Sequence, residues 1–221
     1  MQSSSTGRVL VVSALCFAPV ARGLLVPARK SEALPWMTAP NDPWFTSMVG
    51  DCGFDPLRLA SSPALLNYYR EAELKHARLA MLAAVGWPAS ELWDGAMSSV
   101  LGLEPKLNAL GEAPSILNGG LNGISPFFWG SAIGVGVAFE LYALSIRFGN
   151  EPAAPGDLKW DPLGMFPTER SRQKRMSLAE LKHGRIAMMA VVGYASEEYL
   201  LGTPIVSHSA GFFEPFWAHL F

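Results

Sequence analysis

Glu73-Leu74-Lys75-His76-Ala77-Arg78-Leu79-Ala80-Met81 returns later in the chain as Glu180-Leu181-Lys182-His183-Gly184-Arg185-Ile186-Ala187-Met188. Each copy opens into an apolar stretch, so a carboxylate, an imidazole and a guanidinium sit twice inside what reads as a membrane-spanning helix. Ionisable groups are costly in hydrocarbon and are kept there where they pair with one another or hold something. The repeat predicts two equivalent helices whose charged residues face each other.

The spacing refines this. Glu73 and His76 are three residues apart and lie on neighbouring parts of one helix face. Arg78 follows Glu73 by five residues, about 140° around a helix of 3.6 residues per turn. It need not bond its own glutamate. With two copies related by a twofold, Arg78 reaches Glu180 and Arg185 reaches Glu73, so each carboxylate is neutralised from the opposite helix. A carboxylate paired with arginine keeps free lone pairs. A free carboxylate oxygen and a neutral imidazole both suit axial ligation of a magnesium held in a macrocycle. Ala77, Ala80, Ala83 and Ala84 on one helix, and Gly184, Ala187, Ala190 and Gly193 on the other, allow the close approach that such pairs require.

A smaller repeat precedes each copy. Phe54-Asp55-Pro56-Leu57 stands before the first and Trp160-Asp161-Pro162-Leu163-Gly164 before the second, at an offset that matches the larger repeat to within one residue. Asp-Pro initiates turns. The duplicated unit is therefore loop, turn, long helix.

Three helical segments are expected, from about Pro63 to about Trp93, from about Pro126 to about Phe148, and from about Ser171 to about Leu201. A membrane core of about 30 Å takes about 20 residues of helix. The middle segment has that length, with Glu140 as the one acid in its interior. The outer two are longer and begin with a charged half, which tilt or projection into water accommodates. Ser62 before Pro63, and Ser177 three residues before Glu180, are the local helix-start signals.

Composition agrees with a small membrane protein. Of 221 residues 50% are hydrophobic and 16% charged, against a charged share of about 25% in ordinary soluble domains. Mean hydropathy is +0.21. The formal net charge of -2 argues against nucleic acid as a partner. The cysteines, Cys16 and Cys52, do not make a disulfide framework, and no Cys/His cluster has the spacing of a metal site.

Residues 1–30 read as an address. A short apolar run, Val9 to Val20, is followed by Arg22, Arg29 and Lys30 with no acid between them, the pattern of a signal peptide followed by a transit-like segment. Residues 31–221 would be the mature domain. Basic residues are also asymmetric. Lys159, Arg170, Arg172, Lys174 and Arg175 lie between the second and third helices, whereas Lys106 faces Asp94, Glu104 and Glu112 in the first connection. The positive-inside rule puts the N-terminus and the second connection on one, cytoplasm-equivalent side.

Taken together, Gly53-Phe54-Asp55-Pro56-Leu57, Glu73 to Met81, Glu140, Asp161-Pro162-Leu163-Gly164 and Glu180 to Met188 resemble the light-harvesting chlorophyll-binding antenna family of three-helix thylakoid proteins. The resemblance runs from about Leu34 to about Leu201. It is most similar to the red-lineage branch, since Ser13-Ala14-Leu15-Cys16-Phe17-Ala18-Pro19 resembles the cleavage motif of proteins sent into complex plastids. Ser31 to Trp36 and Pro155 to Trp160 resemble the photosystem I-associated subgroup.

The resemblance implies an all-α membrane protein of three transmembrane helices, with helices 1 and 3 a crossed pseudo-twofold pair held by reciprocal Glu–Arg ion pairs. It implies a multi-pass protein of the plastid thylakoid with a stromal N-terminus. Glu73 and Glu180 would each ligate a chlorophyll a magnesium while paired with Arg185 and Arg78. His76, His183 and Glu140 would ligate further chlorophylls. Glu197 stands where the family commonly has glutamine, and a carboxylate there needs charge compensation. His208 is a candidate ligand by position, with an exposed loop histidine as the alternative. Asp55 and Asp161 would lie near the ends of two carotenoids. The expected cofactors are chlorophyll a, chlorophyll c and carotenoids, xanthophylls first and beta-carotene as a further candidate, with magnesium only inside chlorophyll. Partners would be a photosystem core, photosystem I by the subgroup resemblance, neighbouring antenna subunits and thylakoid lipids. No catalysis is implied. The rivals are a photoprotective member that dissipates energy, and an ion- or proton-conducting membrane protein, because intramembrane Glu, His and Arg also mark transport paths.

Overall fold

A computed structural model describes residues 29–40, 43–102, 104, 106–107, 110–115, 117, 120–149 and 154–208. The chain is helical. A short α1 (Pro43–Thr46) precedes the long α2 (Pro63–Leu101), a 3-10 turn (Gly120–Gly123) leads into α3 (Pro126–Arg147), and α4 (Arg170–Leu201) is followed by a short α5 (Ile205–His208). The expected cleavage motif around Cys16 lies outside the described residues.

Local chemistry fixes the helix ends. Ser62 is extended and its Oγ accepts from Leu65 N–H at 3.3 Å, while Pro63 supplies a preset φ at the first helical position. Ser125 does the same for α3, accepting from Phe127 N–H. Gly102 and Gly202 end α2 and α4 in the left-handed conformation, and their N–H groups return to Ser98 O and Glu198 O. One expected boundary moves, and one start signal is not used. α2 does not stop near Trp93 but continues through Gly95 to Leu101, and Gly102 caps it in the left-handed conformation. Ser177 does not start α4. The helix begins at Arg170, because residues 170–176 are largely good helix formers and carry no breaker.

α2 and α4 form the packed core of the molecule, with α5 against both and α1 against α2. Their contacts come in pairs of repeat-equivalent residues. Ala77 is fully buried against Gly184, its own counterpart. Further along, Trp87 meets its counterpart Tyr194 edge-on at 6.3 Å. Equivalent residues meet each other only along a twofold axis, so the two helices run parallel and cross at that line.

The preceding loops obey the same relation. Gly50 packs on Leu181, and its counterpart Gly156 packs on Leu74, the counterpart of Leu181. Both glycines have positive φ, 74° and 78°, and a Cβ on either would overlap the leucine. Asp51 Oδ1 accepts from Gly53 N–H at 2.7 Å and Asp157 Oδ1 from Lys159 N–H at 2.8 Å. The loop repeat thus begins at Gly50-Asp51 and Gly156-Asp157, four residues before the part read from the sequence.

What covers the two loops differs. The first is strapped by a small hairpin in which Lys30 bridges to Thr38. Ser31 Oγ and Glu32 N–H both donate to Cys52 O, and Arg29 pairs with Asp51 at 2.6 Å. The second is covered by α3, where Tyr142 OH donates to Leu158 O and Trp160 lies against Phe139 and Tyr142. α3 otherwise stands off. It buries none of its residues and is the described helix long and apolar enough to cross a membrane. Its 22 residues span about 33 Å at 1.5 Å per residue.

Candidate functional site

The charged residues of the two repeats come together where α2 crosses α4. Arg78 Nε lies 2.7 Å from Glu180 Oε1, and Arg185 Nε lies 2.8 Å from Glu73 Oε1. Arg185 Nη1 also donates to Gly50 O at 3.3 Å, which ties the crossing to the first loop. The symmetry is broken at one point. Arg70 Nη1 sits 3.1 Å from Glu73 Oε2, whereas the counterpart of Arg70 is Ser177, and Glu180 Oε2 has no hydrogen bond among the described residues. Arg70 was not singled out by sequence reading; its place three residues before Glu73 on one helix face was the available signal.

Both histidines have one defined tautomer. His76 Nδ1 is 2.7 Å from Ala72 O and His183 Nδ1 is 2.8 Å from the equivalent Ala179 O. A carbonyl oxygen only accepts, so Nδ1 carries the hydrogen, and in the neutral ring Nε2 has the lone pair. That is the form a histidine takes when its other nitrogen is fixed for metal ligation. Both rings are exposed on the outer flanks of the pair. Each heads an exposed apolar ridge at three-residue spacing, Leu79, Leu82 and Val85 after His76, and the equivalent Ile186, Met189 and Val192 after His183. An open groove of about 650 Å³ runs along the first ridge beside Arg78.

Glu140 of α3 is brought to α2 by Lys75, whose Nζ lies 2.7 Å from Oε2. Sequence reading included Lys75 in the repeat but gave it no role. Asp55 and Asp161 build one turn twice. Asp55 accepts from Leu59 and Ala60 N–H at 2.9 and 3.2 Å, and Asp161 from Met165 and Phe166 N–H at 3.0 and 2.8 Å. The N–H groups of Phe166 and Met165 hold the Asp161 carboxyl below its ordinary range. A second cavity, about 560 Å³, lies between the first loop and α2 and is lined by Asp51, Asp55, Tyr69, Arg70 and Glu73 among others.

Glu197 and His208 lie at the opposite end of the pair, away from this cluster. Glu197 is half-buried and His208 is exposed on α5. Glu91 Oε2 accepts from Val206 N–H at 3.0 Å and so fixes α5, and the buried Glu198 accepts from Ser115 Oγ at 2.7 Å.

These positions supply the donors a magnesium macrocycle needs. Each histidine offers an imidazole lone pair beside exposed apolar surface, and Glu180 and Glu140 each offer a carboxylate oxygen free of hydrogen bonds beside one held by a cation. The chain matches the family described as Chlorophyll A-B binding protein over residues 41–199 and 148–219. It belongs to that light-harvesting family. Chlorophyll a-b binding protein 7 of Solanum lycopersicum is 31% identical over 97% of this chain and 84% of its own. Light-harvesting complex stress-related protein 1 of Chlamydomonas reinhardtii is 30% identical over 89% of this chain and 75% of its own. A fucoxanthin-chlorophyll a-c binding protein of Chattonella marina var. antiqua is 33% identical over 69% of this chain and 67% of its own.

Proposed function

We propose that this chain is a thylakoid antenna subunit that spans the membrane with α2, α3 and α4, holds chlorophylls and carotenoids, and passes excitation to a photosystem, photosystem I by the resemblance of its N-terminal and second-loop segments. Residues 1–30 act as the plastid presequence and 31–221 as the pigment-binding domain. The basic second connection supports a stromal N-terminus.

The observation that carries this reading is the doubled donor set. His76 and His183 present Nε2 at equivalent positions of two crossed helices, Glu180 presents an oxygen free of hydrogen bonds among the described residues, and Glu73, whose two oxygens are held by Arg185 and Arg70, would ligate through a remaining lone pair. Glu140 adds a ligand from α3. Arg78 and Arg185 neutralise the glutamates from the opposite helix, so ligand placement and helix crossing depend on the same atoms. Asp55 and Asp161 fix two equivalent turns near which carotenoid ends would lie, while Glu197 and His208 are further ligand positions at the opposite end. Bound chlorophyll supplies the absorption and transfer of excitation. The chain sets distances and orientations through short hydrogen bonds on rigid helices. Chlorophyll a is the main pigment, and the similarity to a protein named for fucoxanthin and chlorophyll a-c supports chlorophyll c and a xanthophyll beside it.

A second reading is favoured by the similarity to a stress-related light-harvesting protein, namely that the subunit dissipates excitation. Pigment extraction and fluorescence of the purified native protein separate the two. Carotenoid bands in the excitation spectrum of bright chlorophyll emission support harvesting. Bound pigment with short-lived, quenched emission supports dissipation. A colourless folded protein contradicts both.

A further inference from the structure

Glu140 is the one acid inside α3, a helix that buries no residue and approaches no other helix closely. Its charge is met from α2. Lys75 Nζ lies 2.7 Å from Glu140 Oε2 and 3.4 Å from Glu71 Oε1, and Glu71 Oε2 lies 2.9 Å from Arg147 Nη1. Lys75 and Glu71 are one turn apart on α2; Glu140 and Arg147 are two turns apart on α3. The four groups alternate in sign along a ladder that joins the two helices. Glu140 Oε1 takes no hydrogen bond among the described residues.

The repeat supplies a built-in control. Lys182 is the counterpart of Lys75, but α3 lies on only one side of the crossed pair, and Lys182 is exposed with no ion pair among the described residues. Glu71 has Leu178 as its counterpart, so the ladder exists once. The lysine shared by both copies is put to use in one of them.

We infer that Lys75 is the positioning residue of the α3 pigment site: its ammonium holds Oε2 of Glu140 and leaves Oε1 free as a magnesium ligand, with Glu71 and Arg147 holding the ammonium in place. This rests on the reading of Glu140 as a chlorophyll ligand. A carboxylate in hydrocarbon is costly to hold without a paired cation, and Lys75 is the described cation paired with Glu140. Lys75 thus makes the α3 ligand depend on the α2–α3 distance.

The test uses the full chain refolded with chlorophyll a and its native carotenoid extract, reading chlorophyll per chain and the low-temperature absorption difference from the unsubstituted protein. Lys75→Met is expected to lose one chlorophyll, with the same difference spectrum as Glu140→Leu; Lys75→Arg and Lys182→Met are expected to lose none. A neutral ligand needs no counter-ion, so Lys75→Met combined with Glu140→Gln is expected to regain the pigment, and this pair carries the test if Lys75→Met alone does not fold. Retention of the pigment in Lys75→Met, or its loss in the combined variant as well, overturns the counter-ion role. Full pigment in Glu140→Leu overturns the ligand reading itself.

Discussion

Gly184 faces Ala77, its own counterpart in the repeat, so closely that an added Cβ would overlap the alanine Cβ and stand 3.2 Å from its Cα. Two copies of one residue position cannot both carry a methyl group at this crossing. The duplicated helix has therefore diverged to alanine on one side and glycine on the other, and the crossing distance follows from that single difference. With the helices this close, Arg78 and Arg185 reach the opposite glutamates at hydrogen-bond distance.

Gly184→Ala should therefore lower thermal stability, by about 1–3 kcal/mol as for overpacked cores, and Ala77→Gly combined with it should recover most of the loss. Melting followed by circular dichroism of the pigmented protein reads both. Equal destabilisation in the single and the double variant would contradict a shared contact.

The two ion pairs should not respond equally to the loss of arginine. Arg78→Leu leaves Glu180 without a guanidinium, whereas Arg185→Leu leaves Glu73 with Arg70 at 3.1 Å. Both pairs are part-buried, so removing one partner costs less than the ~3–5 kcal/mol of a fully buried pair. The full effect is expected for Arg78→Leu and a smaller one for Arg185→Leu, and Arg70→Leu combined with Arg185→Leu should restore parity. Pigment retention during heating measures the order.

Asp161 gives an acid-sensitive element. Its carboxyl is held below the ordinary value of 3.8 by the N–H groups of Phe166 and Met165. A depressed carboxyl contributes stability above its unfolded value, and that contribution is lost as pH falls through the lower folded value. Between pH of about 5 and 2 the melting temperature of the unsubstituted protein should fall more steeply than that of Asp161→Asn. Parallel curves would show that the carboxylate is not the group responsible.

The same turn offers a backbone test. Arg58 has φ 49° where its counterpart Gly164 has φ 62°. A side-chain-bearing residue in the left-handed region costs roughly 1–2 kcal/mol. Arg58→Gly is expected to be neutral or stabilising and Gly164→Ala destabilising by about 1 kcal/mol, read as opposite shifts in melting temperature.

Much of this was legible in the sequence because the decisive features are local or duplicated. The Glu-x-x-His-x-Arg block, the Asp-Pro turns, Ser62 before Pro63 and the small residues at the crossing all carry their meaning at short range. What escaped was long-range or one-sided. Pro88 is an extra residue in the first copy, so Ala89 and Glu91 align with Ala195 and Glu197 one step out of register, while it is Glu198 that accepts from Ser115. Lys75 and Lys182 are identical in sequence and differ only in which of them α3 covers. Gly50 and Gly156 stand at equivalent positions that were not read as part of the repeat, and their role lies in the leucine that each accommodates across the helix pair. Ser177 looked like a helix start and lies inside α4, because nothing between Arg170 and Ser177 breaks the helix.

The most direct measurement is the pigment content and excitation spectrum of the paired variant His76→Leu, His183→Leu beside the unsubstituted protein. If the exposed Nε2 atoms are ligands, the unsubstituted protein holds chlorophyll with emission sensitised by carotenoid, and the variant keeps its helices by circular dichroism while losing two chlorophylls per chain. Unchanged pigment content in the folded variant would contradict the assignment of the duplicated histidines as ligands.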